Sequence, residues 1–353
     1  MADRIPNNLI EILARLPVAS LLRFKSICKP WYSLITSPSF VTEHLHQSIT
    51  NTERNGSKLL GRVYDSNVNK ERYLLVNDDD EFGDKYSELE SPFEILFGYF
   101  GVVGSCNGLL WLVDSYLIDK LQIIIWNPST RKSVTLPMAP KPQHRHTCVY
   151  GFGAHPATQE YKCQAFVDGA VHWVAYEPCV GGGVRNLIML FNMASESFSE
   201  FKLPPTLACQ PPPSLSIKTF GQSMAVLCSG PRDSGHCCIW VMKEYGVAES
   251  WTKLFSSNLL GRPNKTLEFR KNGKVLLVSD NCLASYAPGT NTLATTRIRG
   301  NSRSFYVDRF MDSFCLMTVM GSCTFCDALL PTSQEEMGDR VENTAVMKDV
   351  SES

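Results

Sequence analysis

Apolar positions follow two different patterns along the chain, and the change comes near residue 58. Before it, apolar residues recur at helical spacing, and prolines interrupt them at intervals too short for a long helix. This part predicts three short helices: Pro6 opens the first, Pro17 ends it before the second, and Pro30 opens the third, which ends before Pro38.

From residue 58 onward, short apolar runs bounded by Gly, Pro, Asn, Asp or Ser replace the helical pattern. The runs are KLLGRVY, RYLLV, GLLWLV, LQIIIW, AVHWVAY, NLIMLF, SMAVLC, CCIWVM and KVLLVS. Apolar runs of this length between turn residues are typical of many short antiparallel strands. We expect no long amphipathic helix after residue 50.

A loose internal repeat organises the strand-rich part. Four segments share the order strand, turn and more polar strand: IIIWNPSTRKSVTLP, IMLFNMASESFSEFKLPP, IWVMKEYGVAESWTKLF and CLASYAPGTNTLATTRI. Their anchors Trp126, Phe191, Trp240 and Ser285 are 65, 49 and 45 residues apart. Repeats of about 40–50 residues indicate four-stranded propeller blades, but the 65-residue interval fits neither one blade nor two.

Composition places the chain among globular proteins that have no strong net electrostatic field. Of its 353 residues 44% are hydrophobic and 20% charged, and the formal net charge is -1, so no basic surface predicts binding to nucleic acid or membrane. No signal-peptide or transit-peptide pattern and no apolar run of 18 residues is present, which predicts a cytoplasmic and/or nuclear protein. The thirteen cysteines are then expected to be reduced, and the polar residues 331–353 to be a disordered tail.

Candidate chemistry is sparse. His144, His146 and Cys148 share a strand face but lack a fourth zinc ligand, and Cys323 with Cys326 lacks the βαβ context of a redox pair. Glycines 181–183 are followed by neither the Lys-Ser/Thr pair nor the helix of a phosphate-binding loop. The acidic run 78–80 is interpreted as a solvated turn. We therefore expect neither a catalytic site nor a cofactor, and no enzymatic activity.

The N-terminal block is too small to bury its own apolar residues. Composition alone favours a helical cap on the β region, and Arg23, Lys25 and Lys29 are too few for a DNA-binding helix-turn-helix. The stretch IPNNLIEILARLPVASLLRFKSICKPWYSLITSPSFVTEHL nevertheless resembles an F-box, with Ser-Leu-Leu-Arg-Phe-Lys intact at 20–25. Ile5 in place of Leu is a mild departure from that pattern.

This resemblance implies that the block binds an adaptor of the SKP family, which a cullin scaffold with a RING subunit holds in turn. The residues that the resemblance assigns to the adaptor contact are Ile5, Pro6, Leu9, Ile12, Leu13, Leu16, Pro17, Leu21, Leu22 and Trp31. The expected energetics are those of an apolar helix face with a few dominant side chains.

The remainder resembles the F-box-associated domain of plant F-box proteins, of the S-locus and defence-repressor type. The resemblance rests on ERYLLVNDDDEFGDKYSELE, VGSCNGLLWL, IIIWNPSTRKSVTLP, YGFGAHPATQEYK, FVDGAVHWVA, FNMASESFSEFKLP and RSFYVDRFMDSFCLM. After Lys162 the chain runs directly into FVDGAVHW, so about one blade of the family pattern is missing, which accounts for the 65-residue interval.

The predicted fold is α+β: a three-helix F-box (1–45), a linker (46–57), an all-β, kelch-like propeller with one incomplete blade (58–330) and the tail (331–353). The family implies a non-catalytic substrate receptor of an SCF ubiquitin ligase, which binds an unidentified target protein. Candidate target loops are 76–90, 141–148, 177–186 and 228–237. A propeller enzyme, a small-molecule- or glycan-binding module, and a degenerate receptor with an impaired target surface remain alternatives.

Overall fold

The N-terminal part is helical. The computed structural model describes residues 7–55, 58–91, 100–114, 122–136, 153–154, 161–162, 165–167, 170–178, 184–192, 195, 197–210, 215–220, 223–229, 236–258 and 263–315. Its first helices are α1 (Asn7–Ala14), α2 (Val18–Lys25), α3 (Lys29–Ile35) and α4 (Pro38–Asn55).

Prolines set the helix boundaries, as the sequence predicts. Pro17 precedes α2, and Pro30 lies in the first turn of α3, where its missing N–H has no helical partner to lose. Ser37 caps α4, because its hydroxyl accepts the Phe40 backbone N–H at 3.3 Å.

The long helix α4 is a correction to the prediction. It runs to Asn55, so residues 46–55, predicted as linker, are helical. Phe40, His44 and Ser48 are buried at four-residue spacing, which is the helical pattern that the polar composition of this segment obscures. The first strand then begins at Lys58, where the change of pattern predicts it.

Strands dominate the rest of the described chain. In chain order they are β1 (Lys58–Asp65), β2 (Lys70–Asn77), β3 (Tyr86–Leu89), β4 (Gly101–Cys106), β5 (Leu109–Asp114), β6 (Gln122–Asn127), β7 (Lys132–Leu136), β8 (Gly153–Ala154), β9 (Tyr161–Lys162), β10 (Ala165–Val167), β11 (Ala170–Pro178), β12 (Val184–Asn192) and β13 (Ser197–Lys202). After the short helix α5 (Pro205–Ala208) come β14 (Leu215–Phe220), β15 (Ser223–Ser229), β16 (His236–Met242), β17 (Trp251–Asn258), β18 (Pro263–Phe269), β19 (Val275–Ser279), β20 (Cys282–Ala287), β21 (Thr292–Arg299) and β22 (Tyr306–Arg309).

Within the described ranges, these strands form five four-stranded antiparallel sheets and one two-stranded sheet. Blade 1 has the order β22-β1-β2-β3, and blades 2 to 5 are β4–β7, β10–β13, β14–β17 and β18–β21. The pair β8-β9 stands alone between blades 2 and 3 in the sequence. This is the arrangement of a propeller with one rudimentary blade, as the 65-residue interval predicts.

The repeat anchors occupy equivalent places. Trp126, Phe191, Trp240 and Ser285 all lie on the third strand of their blades, β6, β12, β16 and β20. The repeat read from the sequence is therefore the blade repeat.

The ring is closed by the C-terminal strand. β22 pairs with β1 from Leu59–Arg309 to Arg62–Tyr306, so the last described strand completes the first blade. The first strands of neighbouring blades, β22, β4, β10, β14 and β18, line the centre of the ring, where β10 contacts β4 and β14, and β18 contacts β22.

Alternate residues of each strand pack against opposite neighbouring blades. Cys237 and Cys238 illustrate the rule: Cys237 packs toward blade 5 with Phe269, and Cys238 packs toward blade 3 with Ile188. Both adjacent cysteines are buried, because each lies at a different blade interface.

The seam between blades 2 and 3 is built differently. Leu45 and Ile49 of α4 pack on the face of blade 2 that carries Trp111 and Ile125. Helix α4 thus covers the lateral face of blade 2 that a regular propeller would pack against its next blade.

Candidate functional site

The predicted adaptor residues fall into three groups. Ile12 is 58% exposed and Pro17 is also exposed, while Leu9, Leu16, Leu22 and Trp31 are half-buried around them. Leu13 and Leu21 are buried among the core side chains of the helical segment, and their assignment as adaptor contacts stays a prediction. Ile5 and Pro6 lie outside the described residues.

Two exposed apolar side chains were not among the predicted contacts. Ile27 is 65% exposed in the turn between α2 and α3, and Tyr32 is 53% exposed on α3. Both fall within the F-box-like stretch, but the sequence motif does not distinguish exposed side chains from core side chains. The burial seen in the structure makes that distinction. Ile12, Ile27 and Tyr32 are hereafter called the apolar surface of the helical segment, because all three are large apolar side chains that remain more than half exposed.

A packed interior supports this surface. Leu13, Val18, Leu21, Ile35 and Phe40 are buried together. Phe24 and Trp31 add an edge-to-face pair with ring centroids 5.2 Å apart, a favourable geometry for aromatic rings.

His44 of α4 supports the turn between α1 and α2. Its Nε2 lies 3.1 Å from the carbonyl oxygen of Leu16. Burial lowers the pKa of His44, although the Leu16 carbonyl and the Asp312 carboxylate oppose the shift. The neutral ring is therefore the form that fits this position.

The segment that follows β22 joins the propeller to the helices. Ser313 and Cys315 offer their backbone oxygens to the Asn127 side-chain amide, at 3.1 and 3.3 Å. Asn127 also accepts the Ser129 and Thr130 backbone N–H groups, so the predicted turn residue organises two chain segments. We call residues 310–315 the C-terminal strap.

The loop between β2 and β3, a candidate target loop, is held firmly on blade 5. Arg270 donates to the Asp78 carboxylate at 2.7 Å and to the backbone oxygen of Asp79, and its guanidinium lies 4.2 Å from the Phe82 ring centroid. The Asp78 and Arg270 side chains are 4% and 3% exposed. The interpretation of the whole acidic run as a solvated turn is therefore wrong for Asp78, which is a buried ion-pair partner.

The other candidate loops lie wholly or partly outside the described residues. Residues 141–148 are outside them, as are 179–183 and 230–235 within the remaining two loops. The flanking strand ends are described: Pro178 pairs with Val184, and Ser229 with Cys237. These ends connect the second and third strands of their blades.

Turn position separates two sides of the propeller. In an up-and-down blade, the turn between the second and third strands lies opposite the other two turns. The strap contacts the first and third turns of blade 2, at Gly108 and Asn127, so the helical segment lies on that side. The strand ends at Pro178 and Ser229 face the opposite side of the ring.

Charged residues meet at the centre of the ring. The Lys218 ammonium lies 3.4 Å from Glu268 and 3.9 Å from Asp308, and Asp308 accepts the Tyr306 and Ser105 hydroxyls at 2.6 and 2.8 Å. Burial alone would lower the pKa of Lys218, but the two carboxylates raise it, and burial raises the pKa of Glu268. The cluster links the first strands of blades 4, 5, 1 and 2, which indicates a role in ring closure.

A second lysine lies near this cluster with a weaker partner. Lys265 donates to the Phe305 backbone oxygen at 3.0 Å. Burial, with the Arg62 and Lys218 charges, lowers its pKa to about 8.

The described residues contain neither a metal-binding cluster nor a membrane-spanning helix. Among the described residues, no group of three His, Cys, Asp or Glu side chains could hold a metal ion. The candidate residues His144, His146, Cys148, Cys323 and Cys326, and glycines 181–183, lie outside them. Within the part of the chain that the structure describes, no helix has both the length and the hydropathy needed to cross a bilayer.

Comparison with known families matches both halves of the architecture. The F-box domain family matches residues 4–43, and the F-box associated beta propeller domain family matches residues 154–312. The second match begins within β8, so it includes the rudimentary blade pair and blades 3 to 5.

Similar proteins of Arabidopsis thaliana extend the match over most of the chain. F-box protein At3g07870 is 25% identical over 348 residues, covering 78% of this chain and 80% of the relative. F-box protein CPR1 is 24% identical, covering 88% and 89%, and F-box/kelch-repeat protein At3g23880 is 26% identical, covering 70% and 77%. With an F-box at its N-terminus and a five-bladed propeller-like domain behind it, this chain belongs to the plant F-box proteins that carry a C-terminal F-box-associated domain.

Proposed function

We propose that this protein is the substrate-recognition subunit of an SCF-type ubiquitin ligase. The helical segment binds a SKP-family adaptor, the adaptor links it to a cullin-RING scaffold, and the β domain binds a target protein. The chain itself catalyses no bond change. It raises the effective concentration of target lysines near the ubiquitin-conjugating enzyme. Such a complex would operate in the cytoplasm or the nucleus.

The observation that carries the proposal is the apolar surface of the helical segment. Ile12, Ile27 and Tyr32 stay more than half exposed although the same short helices bury Leu13, Leu21 and Ile35 completely. Because residues 4–43 match the F-box domain family, these large exposed side chains are available to a partner helix. Their burial by a partner helix would release about 25 cal/mol for each Å² removed from water.

The geometry also supports a division between two sides of the propeller. The helical segment and the strap occupy the side of the first and third blade turns. The opposite side, with the strand ends at Pro178 and Ser229, is left for a target. We propose that the target binds there, because rigid sheets present their connecting loops as a recognition surface.

Affinity purification of the tagged chain from plant cells tests the adaptor claim. We expect the wild type to recover a SKP-family adaptor and a cullin. The variant I12D/I27D should lose both, because a charge at a desolvated apolar contact is strongly unfavourable.

Val68→Asp provides the matched control. Val68 is 64% exposed on the β1–β2 turn of the propeller, so this variant carries the same kind of change on a comparable side chain. It should retain adaptor and cullin. A wild type without adaptor, or a Val68 variant that loses adaptor as completely as I12D/I27D, would contradict the proposal.

The rudimentary blade β8-β9 favours one further candidate, a receptor that binds adaptor but lacks an effective target surface. The two candidates differ in their effect on protein turnover. An active receptor makes at least one protein accumulate when I12D/I27D replaces the wild type, because the variant still binds its target but cannot deliver it. A degenerate receptor leaves all protein half-lives unchanged in the same comparison.

A further inference from the structure

The C-terminal strap supplies part of the interior of the helical segment. Phe314 is 1% exposed and is buried among Leu13, Val18, Leu21 and Phe40. Nearly three hundred residues separate it in sequence from these partners. The F-box-like helical segment is thus completed by a side chain that lies beyond the last described blade strand.

A hydrogen bond made by the strap lies at the start of α2. The Asp312 carboxylate accepts the Val18 backbone N–H at 3.1 Å. Pro17, which precedes α2, gives no side-chain cap of its own. A carboxylate at this position satisfies an otherwise unpaired N–H and interacts favourably with the helix dipole.

The strap is fixed to the propeller by its other contacts. Besides the bonds from Asn127, the Ser313 backbone N–H donates to Ser129 at 3.4 Å. Gly108 lies so close that a Cβ there would be 2.5 Å from the Cβ of Ser313, which only glycine permits. Phe310 continues the strand by donating to the Lys58 backbone oxygen. The strap that carries Phe314 and Asp312 is thus bonded to blade 2 and continuous with β22, the strand that closes the ring.

The contacts of Asp312 and Phe314 lie on the helices that carry the apolar surface or next to them. Asp312 meets α2 next to Leu16 and Pro17, which the resemblance to an F-box predicts as adaptor contacts. Lys25 of α2 lies over the Tyr32 ring at 4.8 Å and the Phe314 ring at 5.9 Å, so Phe314 is near the α2–α3 side as well.

We propose that Phe314 and Asp312 are positioning residues for adaptor binding. They hold α1 to α3 in the shape that an adaptor recognises, and they make that shape conditional on closure of the propeller by β22. This inference rests on the proposed function, but it makes a separate claim about which part of the chain completes the F-box.

Hydrogen exchange of the full-length protein tests the positional claim without an adaptor. We expect Phe314→Ala to speed amide exchange in α1 and α2 by at least about tenfold, while β15 and β16 keep their wild-type protection. Phe255→Ala is the matched control: Phe255 is also a buried phenylalanine, but it packs between blades 4 and 5. That control should leave exchange in α1 and α2 unchanged.

Adaptor titration of the same variants tests the consequence. If Phe314→Ala leaves about a tenth of the molecules with a competent F-box, the apparent Kd rises about tenfold. Asp312→Ala should weaken binding by about fivefold, as the loss of a helix cap predicts. Phe314→Leu keeps an apolar side chain and should restore most of the affinity.

The outcomes separate the two claims. A wild type that binds no adaptor overturns the proposed function, and hydrogen exchange still decides the role of the strap. Wild-type exchange in α1 and α2 of Phe314→Ala overturns this inference, as does equal weakening by Phe255→Ala. If Phe314→Ala does not fold, Asp312→Ala decides the question, and wild-type exchange in α1 and α2 of that variant would overturn the inference.

Discussion

Removal of the Arg270 side chain should destabilise the protein far more than removal of an exposed arginine. Arg270 and Asp78 form an ion pair at 2.7 Å with both side chains at most 4% exposed. In Arg270→Met the Asp78 carboxylate keeps the Lys271 backbone N–H at 2.8 Å, but it loses its cation. An uncompensated buried charge of this kind costs about 3–5 kcal/mol of unfolding free energy.

Arg72→Met is the comparison. Arg72 pairs with Glu88 at 3.0 Å within blade 1, but the Glu88 side chain is 36% exposed, so water can replace the lost contact. The expected cost is about 0–1 kcal/mol.

Urea denaturation followed by tryptophan fluorescence measures both free energies. Asp78→Asn in the Arg270→Met background should recover part of the loss, since it removes the unpaired charge, and a double-mutant cycle quantifies that coupling. A loss below about 1 kcal/mol for Arg270→Met, or strictly additive effects with Asp78→Asn, would refute the account of this loop as anchored by a buried ion pair.

Three further changes probe other parts of the structure. Between pH 8 and 10.5 the unfolded chain holds the Lys265 proton more tightly than the folded protein does, so the free energy of unfolding rises with pH in this range. In urea titrations, the wild type should therefore gain about 2 kcal/mol of unfolding free energy from pH 7.5 to 10 relative to Lys265→Met. The pKa of His44 is lowered, so stability falls as pH drops below about 6.5, and thermal unfolding of His44→Gln should show less of this acid sensitivity. Gly108→Ala should lower Tm more than Gly273→Ala. Both glycines have a positive φ, 79° and 77°, but only a side chain at Gly108 would clash with the strap. Equal losses of Tm in the two variants would contradict the close approach of Gly108 to Ser313.

Much of the fold was accessible from the sequence because it repeats. Apolar runs between turn residues predict the strands, and the spacing of Phe191, Trp240 and Ser285 predicts the blades, since each blade must bury the same faces. The 65-residue interval predicts the rudimentary blade. Helix α4 was not among the three predicted helices because its buried positions include His44 and Ser48, which do not form an apolar stripe in the sequence.

The candidate site was accessible only in part. A motif places contact and core residues side by side, and only the packing shows that Leu13 is interior while Ile12 faces solvent. Phe314 and Asp78 were missed for a related reason. Their partners are distant in sequence, at α2 and at Arg270, and no local pattern indicates a contact between segments so far apart.

The most direct test of the central claim is a calorimetric titration of the purified full-length protein with a purified SKP-family adaptor. The account predicts one-to-one binding by the wild type and an affinity at least about a hundredfold weaker for I12D/I27D, since a few buried side chains dominate such an interface. A folded wild-type protein that gives no binding, or a variant that binds as tightly as the wild type, would contradict it.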